Sequence, residues 1–229
     1  MSKVLIIIPT YNRPELCAQA VQSVMDQSFA DWELVISKNG MAIHLERYLE
    51  LLDPIIDNRC NVIYSDPAGL GHGLNAALEY ARTSLMDGPY DYFAILDDDD
   101  VWKPDFLGRM TDAAIKSRYD VIHCMQEQKP VAMQGNGRPL RPELLRGQNY
   151  INFPMCLFKY DLVDRVGEFD NSAGASVDWD WHLRCLQAGA GYGFLPLVLM
   201  THHWHDDNYC LVAPLSDYVR RKIEKGAYD

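Results

Sequence analysis

The run Val4-Leu5-Ile6-Ile7-Ile8 constrains the fold more than any other segment, because it is continuously apolar. Successive strand residues point to opposite faces, so a strand wetted on one side alternates apolar with polar; an unbroken run predicts a strand covered on both. Pro9 ends it. A polar loop follows at residues 10–13, and Pro14 suits the first turn of a helix reaching to about residue 27.

The same pattern recurs. Residues 32–37 predict a second strand, Lys38-Asn39-Gly40 a turn, and residues 43–52 a helix. A third strand is expected at 61–65, a flexible glycine-rich crossing at 69–73, a helix at 74–85, and a fourth strand at 92–96 that delivers Asp97-Asp98-Asp99-Asp100. Strands alternating with helices at this spacing predict an α/β fold, with a mostly parallel central sheet flanked by helices. Ligands of such sheets bind beyond the C-terminal strand ends. The loops at 10–13, 37–40 and 97–100 all leave such ends and form one candidate site.

The second half is less regular. A helix is expected over 104–117, beginning near Trp102 and Lys103, then a strand at 120–124 and a polar, substrate-facing insertion over 126–148. Further strands are expected at 154–158 and 192–200, separated by a helix over 177–188. At 229 residues the chain supports one substantial core. The expected organisation is a single domain over 1–210, with halves at about 1–100 and about 101–210, followed by a helical tail at 211–229.

Charge narrows the partners. With 21 Lys and Arg against 32 Asp and Glu, the chain is a poor match to a nucleic-acid surface, which neutralises phosphates with clustered cations. Six cysteines are scattered without a CxxC pair and read as core thiols of a reduced, cytoplasmic protein. No segment reaches about 18 continuous apolar residues, so no transmembrane segment is expected and any membrane contact is peripheral.

Four consecutive aspartates in one loop repel each other and raise some of their pKa values unless a cation compensates. Mg²⁺ and Mn²⁺ prefer such carboxylate oxygens, along with phosphate oxygens; the competing reading is a solvated acidic loop. Asp99 is the preferred direct ligand. Asp97, two residues earlier, reaches sugar, ribose or metal-bound water; Asp98 holds the loop or contacts a donor; Asp100 caps the following helix.

Three segments then combine: VLIIIPTYNRPELCAQAVQSVMDQSFADWELVI, FAILDDDDVWKPDFL and GEFDNSAGASVDWDWHLRCLQAG. Together they resemble the inverting glycosyltransferases of the GT-A fold, family 2 type, over residues 4 to about 208. The resemblance implies a single GT-A (Rossmann-like) domain that takes a sugar from a nucleotide-diphosphate sugar. It implies nucleotide contacts from Pro9, Thr10, Tyr11 and Arg13, with Asn39 at the base-reading position, and a metal motif of Asp97 and Asp99 holding Mn²⁺ or Mg²⁺. Asp178 matches the general base, with Asp180 as the runner-up. Relatives also place a histidine after the last strand, near metal or diphosphate, which puts His205 first and His203 next.

Two positions depart from the family pattern. Lys38-Asn39 stands where relatives commonly carry two acidic residues, so Asn39 offers a base edge both a donor and an acceptor, and Lys38 meets phosphate or lies in solvent. Leu74 stands where many members have arginine, leaving the phosphate charge to metal, Arg13 or His72. A UDP-sugar is favoured because the family often uses one.

The implied chemistry is one displacement. Asp178 deprotonates an acceptor hydroxyl, of a glycan or another molecule, as it attacks the anomeric carbon, and the configuration inverts. Trp179, Trp181 and Trp204 are expected on the acceptor side, where aromatic faces cover sugar C–H surfaces. Rival readings are a nucleotidyltransferase, whose glycine-rich loop is replaced here by PTYNR, and a non-catalytic sugar-binding protein of the same fold. Absence of GxGxxG disfavours a dinucleotide dehydrogenase.

Overall fold

A computed structural model describes residues 2–40, 45–84, 89–129, 137–204 and 217–228. The apolar N-terminal run forms the middle of the sheet: β1 (Val4–Thr10) is buried along its whole length. It pairs in parallel with β2 (Trp32–Asn39) on one side and β4 (Tyr92–Ile95) on the other, in a register that sets Ile7 beside Val35 and Ile95. With β3 (Cys60–Ser65), β5 (Val101–Trp102), β6 (Val121–Lys129), β7 (Cys156–Lys159) and β8 (Tyr192–His203), the strand order is β3-β2-β1-β4-β7-β6-β8-β5.

β3, β2, β1 and β4 run parallel, as do β6 and β8, while β7 is antiparallel to both β4 and β6. The chain proceeds outward from β1 through β2 to β3, then returns to lay β4 on the other side of β1. That reversal opens a crevice beyond the C-terminal ends of β1 and β4, the position where open α/β sheets bind ligands.

The helices are α1 (Pro14–Met25), α2 (Leu45–Leu52), α3 (Leu70–Thr83), α4 (Phe106–Ser117), α5 (Pro142–Gly147), α6 (Leu162–Val166), α7 (Val177–Gln187) and α8 (Asp217–Glu224). Short 3₁₀ turns lie at Phe153–Met155 and Asn171–Ser176.

Three expectations are corrected here. The stretch at 69–73 is no flexible crossing; from Leu70 it is the first turn of α3, and its glycines serve close packing. A Cβ on Gly71 would sit 2.8 Å from the backbone of Asn171, and one on Gly73 would overlap the Asn39 amide. No helix begins near Trp102 and Lys103, because residues 101–102 pair antiparallel with β8, and α4 starts at Phe106. The strand expected at 120–124 continues to Lys129, carrying Gln126 and Gln128 into the sheet beside Met200 and His202. His205, the sixth cysteine Cys210, the end of the helix expected at 74–85 and residues 211–216 lie outside the described residues.

Candidate active site

A cleft of about 980 Å³ lies over the C-terminal ends of β1, β2 and β4. It is lined from the β1 loop by Pro9, Thr10, Tyr11, Asn12 and Arg13, from β2 by Asn39, from the β4 loop by Asp97, Asp98 and Asp99, and from α7 by Asp178 and Trp179. All three polar loops singled out in the sequence therefore meet in one space.

The β1 and β4 loops are joined by a chain of hydrogen bonds. Thr10 Oγ1 donates to Asp98 Oδ2 at 2.7 Å, so its one proton is used there. The Tyr48 hydroxyl in turn donates to Thr10 Oγ1 at 2.7 Å and accepts the Arg13 backbone N–H at 2.9 Å. Such aligned donors polarise one another in a buried setting. Asp98 holds the loop: burial pushes its carboxyl up to about 6, against the opposing pull of the Arg13 charge. Lys38 does not lie in solvent: the residue is 1% exposed and outside the cleft lining, with Nζ 5.6 Å from the Tyr48 ring centre.

Asn12, passed over in the sequence, adopts a left-handed φ of 55° that asparagine tolerates, and its buried Oδ1 has no hydrogen-bond partner among the described residues. It lines the cleft as an available acceptor.

One carboxylate oxygen from each of Asp97, Asp99 and Asp100 lies within 4.8 Å of the other two. Burial and then the charges of Asp100, Asp99 and Asp178 hold the Asp97 carboxyl well above the usual carboxylate range. Arg13 Nη1 meets Asp99 Oδ2 at 2.6 Å and Arg13 Nη2 meets Asp98 at 3.4 Å. Concentrated, hard, anionic oxygens under mutual repulsion fit a divalent cation, which would relieve what burial raises.

Asp100 is not a helix cap. The β5–β8 pairing swings it under β8, where His202 Nδ1 lies 2.9 Å from its Oδ1 and the His203 backbone N–H donates to the same oxygen at 3.1 Å. His202 lines the cleft; burial lowers its pKa, but the Asp100 contact outweighs that and the net shift is upward. His203 Nδ1 donates instead to the Asp99 carbonyl at 3.0 Å. The sequence signal that could have found His202 was its place one residue inside a longer β8.

Asp178 stands in the first turn of α7. Asn149 Nδ2 donates to its Oδ2 at 2.7 Å, and the Trp179 backbone N–H donates to its Oδ1 at 2.7 Å. Burial pushes its carboxyl up to about 6, with both hydrogen bonds opposing. Asp180 faces away from the cleft, fully buried and bound by Arg184 Nε at 2.7 Å, Lys222 Nζ at 2.7 Å and the Tyr228 hydroxyl at 2.6 Å. Of the tryptophans, Trp204 and Trp179 line the cleft, the latter fixed by its indole N–H on the Leu145 carbonyl at 2.6 Å. Trp181 does not: it is wholly buried, 4.3 Å from the Phe169 ring and edge-on to Phe93, because that flank of α7 covers β4. His72 likewise stays outside the cleft lining.

A crevice at the β1/β4 reversal, bordered by an acidic triad and a part-buried carboxylate on α7, is the ligand-binding position of an open α/β sheet. Residues 5–174 match glycosyl transferase family 2, and the chain belongs to that family of glycosyltransferases. It is 30% identical over 195 residues to the protein y4gI of Sinorhizobium fredii, covering 80% of this chain and 20% of that one. It is 27% identical over 121 residues to the Escherichia coli UDP-Glc:alpha-D-GlcNAc-diphosphoundecaprenol beta-1,3-glucosyltransferase WfgD, covering 52% and 44%. The chain thus spans less than half the length of either curated relative.

Among solved structures, S. aureus TarS 1-349 in complex with UDP-GlcNAc superposes with a TM-score of 0.75 at 16% identity, over 96% of this chain and 65% of that one. Mannosyltransferase PcManGT from Pyrobaculum calidifontis, in complex with GDP-Man and Mn2+, gives 0.68 at 18%, over 99% and 64%. The fold is therefore the GT-A fold of these transferases. Among the described residues no helix is long and apolar enough to cross a membrane.

Proposed function

We propose that this chain transfers a sugar from a nucleoside-diphosphate sugar to an acceptor hydroxyl, with metal assistance and inversion, and that Asp178 is the general base. The observation that carries this reading is the placement of Asp178 and the Asp97, Asp98 and Asp99 loop on one cleft. A donor needs anion compensation at its diphosphate, and an acceptor needs a base that is not itself tied up in an ion pair. Among the described residues Asp178 accepts only neutral N–H groups, whereas Asp180 is bound by two cations.

In this reading Pro9, Thr10, Tyr11 and Asn39 hold the nucleoside and Arg13 the diphosphate side. Asp97 and Asp99, with Asp100 beside them, would hold Mn²⁺ or Mg²⁺, which would supply charge stabilisation for the departing diphosphate. Asp178 takes the acceptor proton on its Oδ atoms while Asn149 keeps the carboxylate oriented. The donor half is about residues 1–100 and the acceptor half about 101–210, with Trp179 and Trp204 on the acceptor side. A UDP-sugar is the favoured donor, supported by the UDP-GlcNAc and UDP-Glc named for the relatives. Free thiols at Cys17, Cys60, Cys124, Cys156 and Cys185 support a cytoplasmic setting.

The test is a panel of nucleotide sugars with Mn²⁺, Mg²⁺ or EDTA, read as released nucleoside diphosphate and as the anomeric configuration of the product. Release that needs the metal and gives an inverted product is expected. Retention of configuration, or full turnover in EDTA, would overturn the reading.

A further inference from the structure

The C-terminal helix α8 is tied to the body by two carboxylates. Lys222 Nζ reaches buried Asp180 at 2.7 Å and Asp170 at 3.6 Å; the Tyr218 hydroxyl donates to Asp170 at 2.7 Å, and the Tyr228 hydroxyl, just beyond the helix, donates to Asp180 at 2.6 Å. Residues two apart on a helix do not share a face. With Lys222 turned to the body, Arg220 is exposed and borders the cleft. Among the described residues no carboxylate pairs with Arg220, whereas Arg13, the other arginine lining the cleft, already meets Asp98 and Asp99.

A second positive feature borders the same cleft. Asn171, next to the Asp170 that anchors α8, packs against Gly71 in the first turn of α3. The N-terminus of this 14-residue helix, at Gly69 and Leu70, also lines the cleft, and no side chain caps it. Uncapped N–H groups and the helix dipole favour an anion there. Leu74 occupies the position where the family pattern commonly has an arginine, and it is fully buried, so α3 supplies no cation of its own there.

We propose that Arg220 is a substrate-binding residue: with the N-terminus of α3 it holds a phosphate group of the bound nucleoside diphosphate, and the Lys222–Asp180–Tyr228 lock positions it. The inference rests on the glycosyl-transfer reading above and adds to it a donor-binding role for the tail helix. Guanidinium suits this role because its planar fork meets phosphate oxygens in pairs.

The experiment is titration of the intact chain with UDP and with GDP in Mn²⁺, comparing wild type with Arg220→Gln, Arg220→Lys and Lys222→Met, with a thermal melt of each. The better-bound nucleotide should lose about tenfold in affinity with Arg220→Gln, at an unchanged melting temperature. Arg220→Lys should fall between, keeping charge without the fork. Lys222→Met should lower both affinity and melting temperature. Wild-type protein that binds neither nucleotide overturns the glycosyl-transfer reading and this one with it. Wild-type binding that Arg220→Gln leaves within about twofold overturns the role of Arg220 alone.

Discussion

Asn149 and Asp178 come from different segments, 29 positions apart, and meet through a 2.7 Å hydrogen bond at the cleft wall. The amide N–H stabilises the ionised carboxylate, pulling down a pKa that burial has driven up to about 6. Asn149→Ala removes that opposing pull. The acidic limb of the pH dependence of kcat/KM should therefore move to higher pH, while activity well above the limb is better preserved. Profiles of the two proteins between pH 5 and about 8 check this; superimposable limbs would remove Asn149 from the account.

The same shift has a consequence for stability. A carboxyl whose folded pKa is raised binds its proton more tightly in the native state, so folding is favoured below that pKa and loses ground as pH rises from about 4 through about 6. Asp178→Asn cannot ionise and escapes this loss. In EDTA, the melting temperature of Asp178→Asn relative to wild type should rise between pH 4 and about 7, then level off. A difference that is flat with pH would mean the buried carboxylate is not strained in the native state.

Asp180, two residues on, plays the opposite part. Its fully buried carboxylate is held by Arg184, Lys222 and Tyr228, and removing it leaves Arg184 without its carboxylate partner and Lys222 with only the longer Asp170 contact. Asp180→Ala should destabilise the fold by about 3 kcal/mol, measured by chemical denaturation. Loss of transfer with no loss of stability would instead make Asp180 the better candidate base.

Much of this arrangement was readable from residue order. The unbroken run at 4–8 could only be a doubly covered strand, and its flanking loops had to share one side of a parallel sheet. What escaped depended on pairing between distant segments. Nothing local in Asp100-Val101-Trp102 announces that it will join β8, yet that pairing turns Asp100 from a cap into the partner of His202. Trp181 escaped for a related reason: helical spacing places it near Asp178, but only the packing of α7 on Phe93 decides which flank is core. The glycines of α3 read as a loop because propensity counts against them, while close approach by Asn39 and Asn171 requires them.

The acidic triad should govern metal-dependent binding. Asp99→Ala removes one of three clustered carboxylates and the nearer of Arg13's two carboxylate partners. Nucleoside diphosphate affinity measured by titration should then lose its dependence on Mn²⁺. An undiminished gap between Mn²⁺ and EDTA would place the ion elsewhere.

The central claim is that Asp178 activates the acceptor without holding the donor. The direct measurement is a split of binding from turnover in Asp178→Asn with the best donor of the nucleotide-sugar panel. Donor affinity in Mn²⁺ should stay near wild type while transfer falls by about a hundredfold or more. Wild-type transfer by Asp178→Asn, or a matching loss of donor affinity, would contradict it.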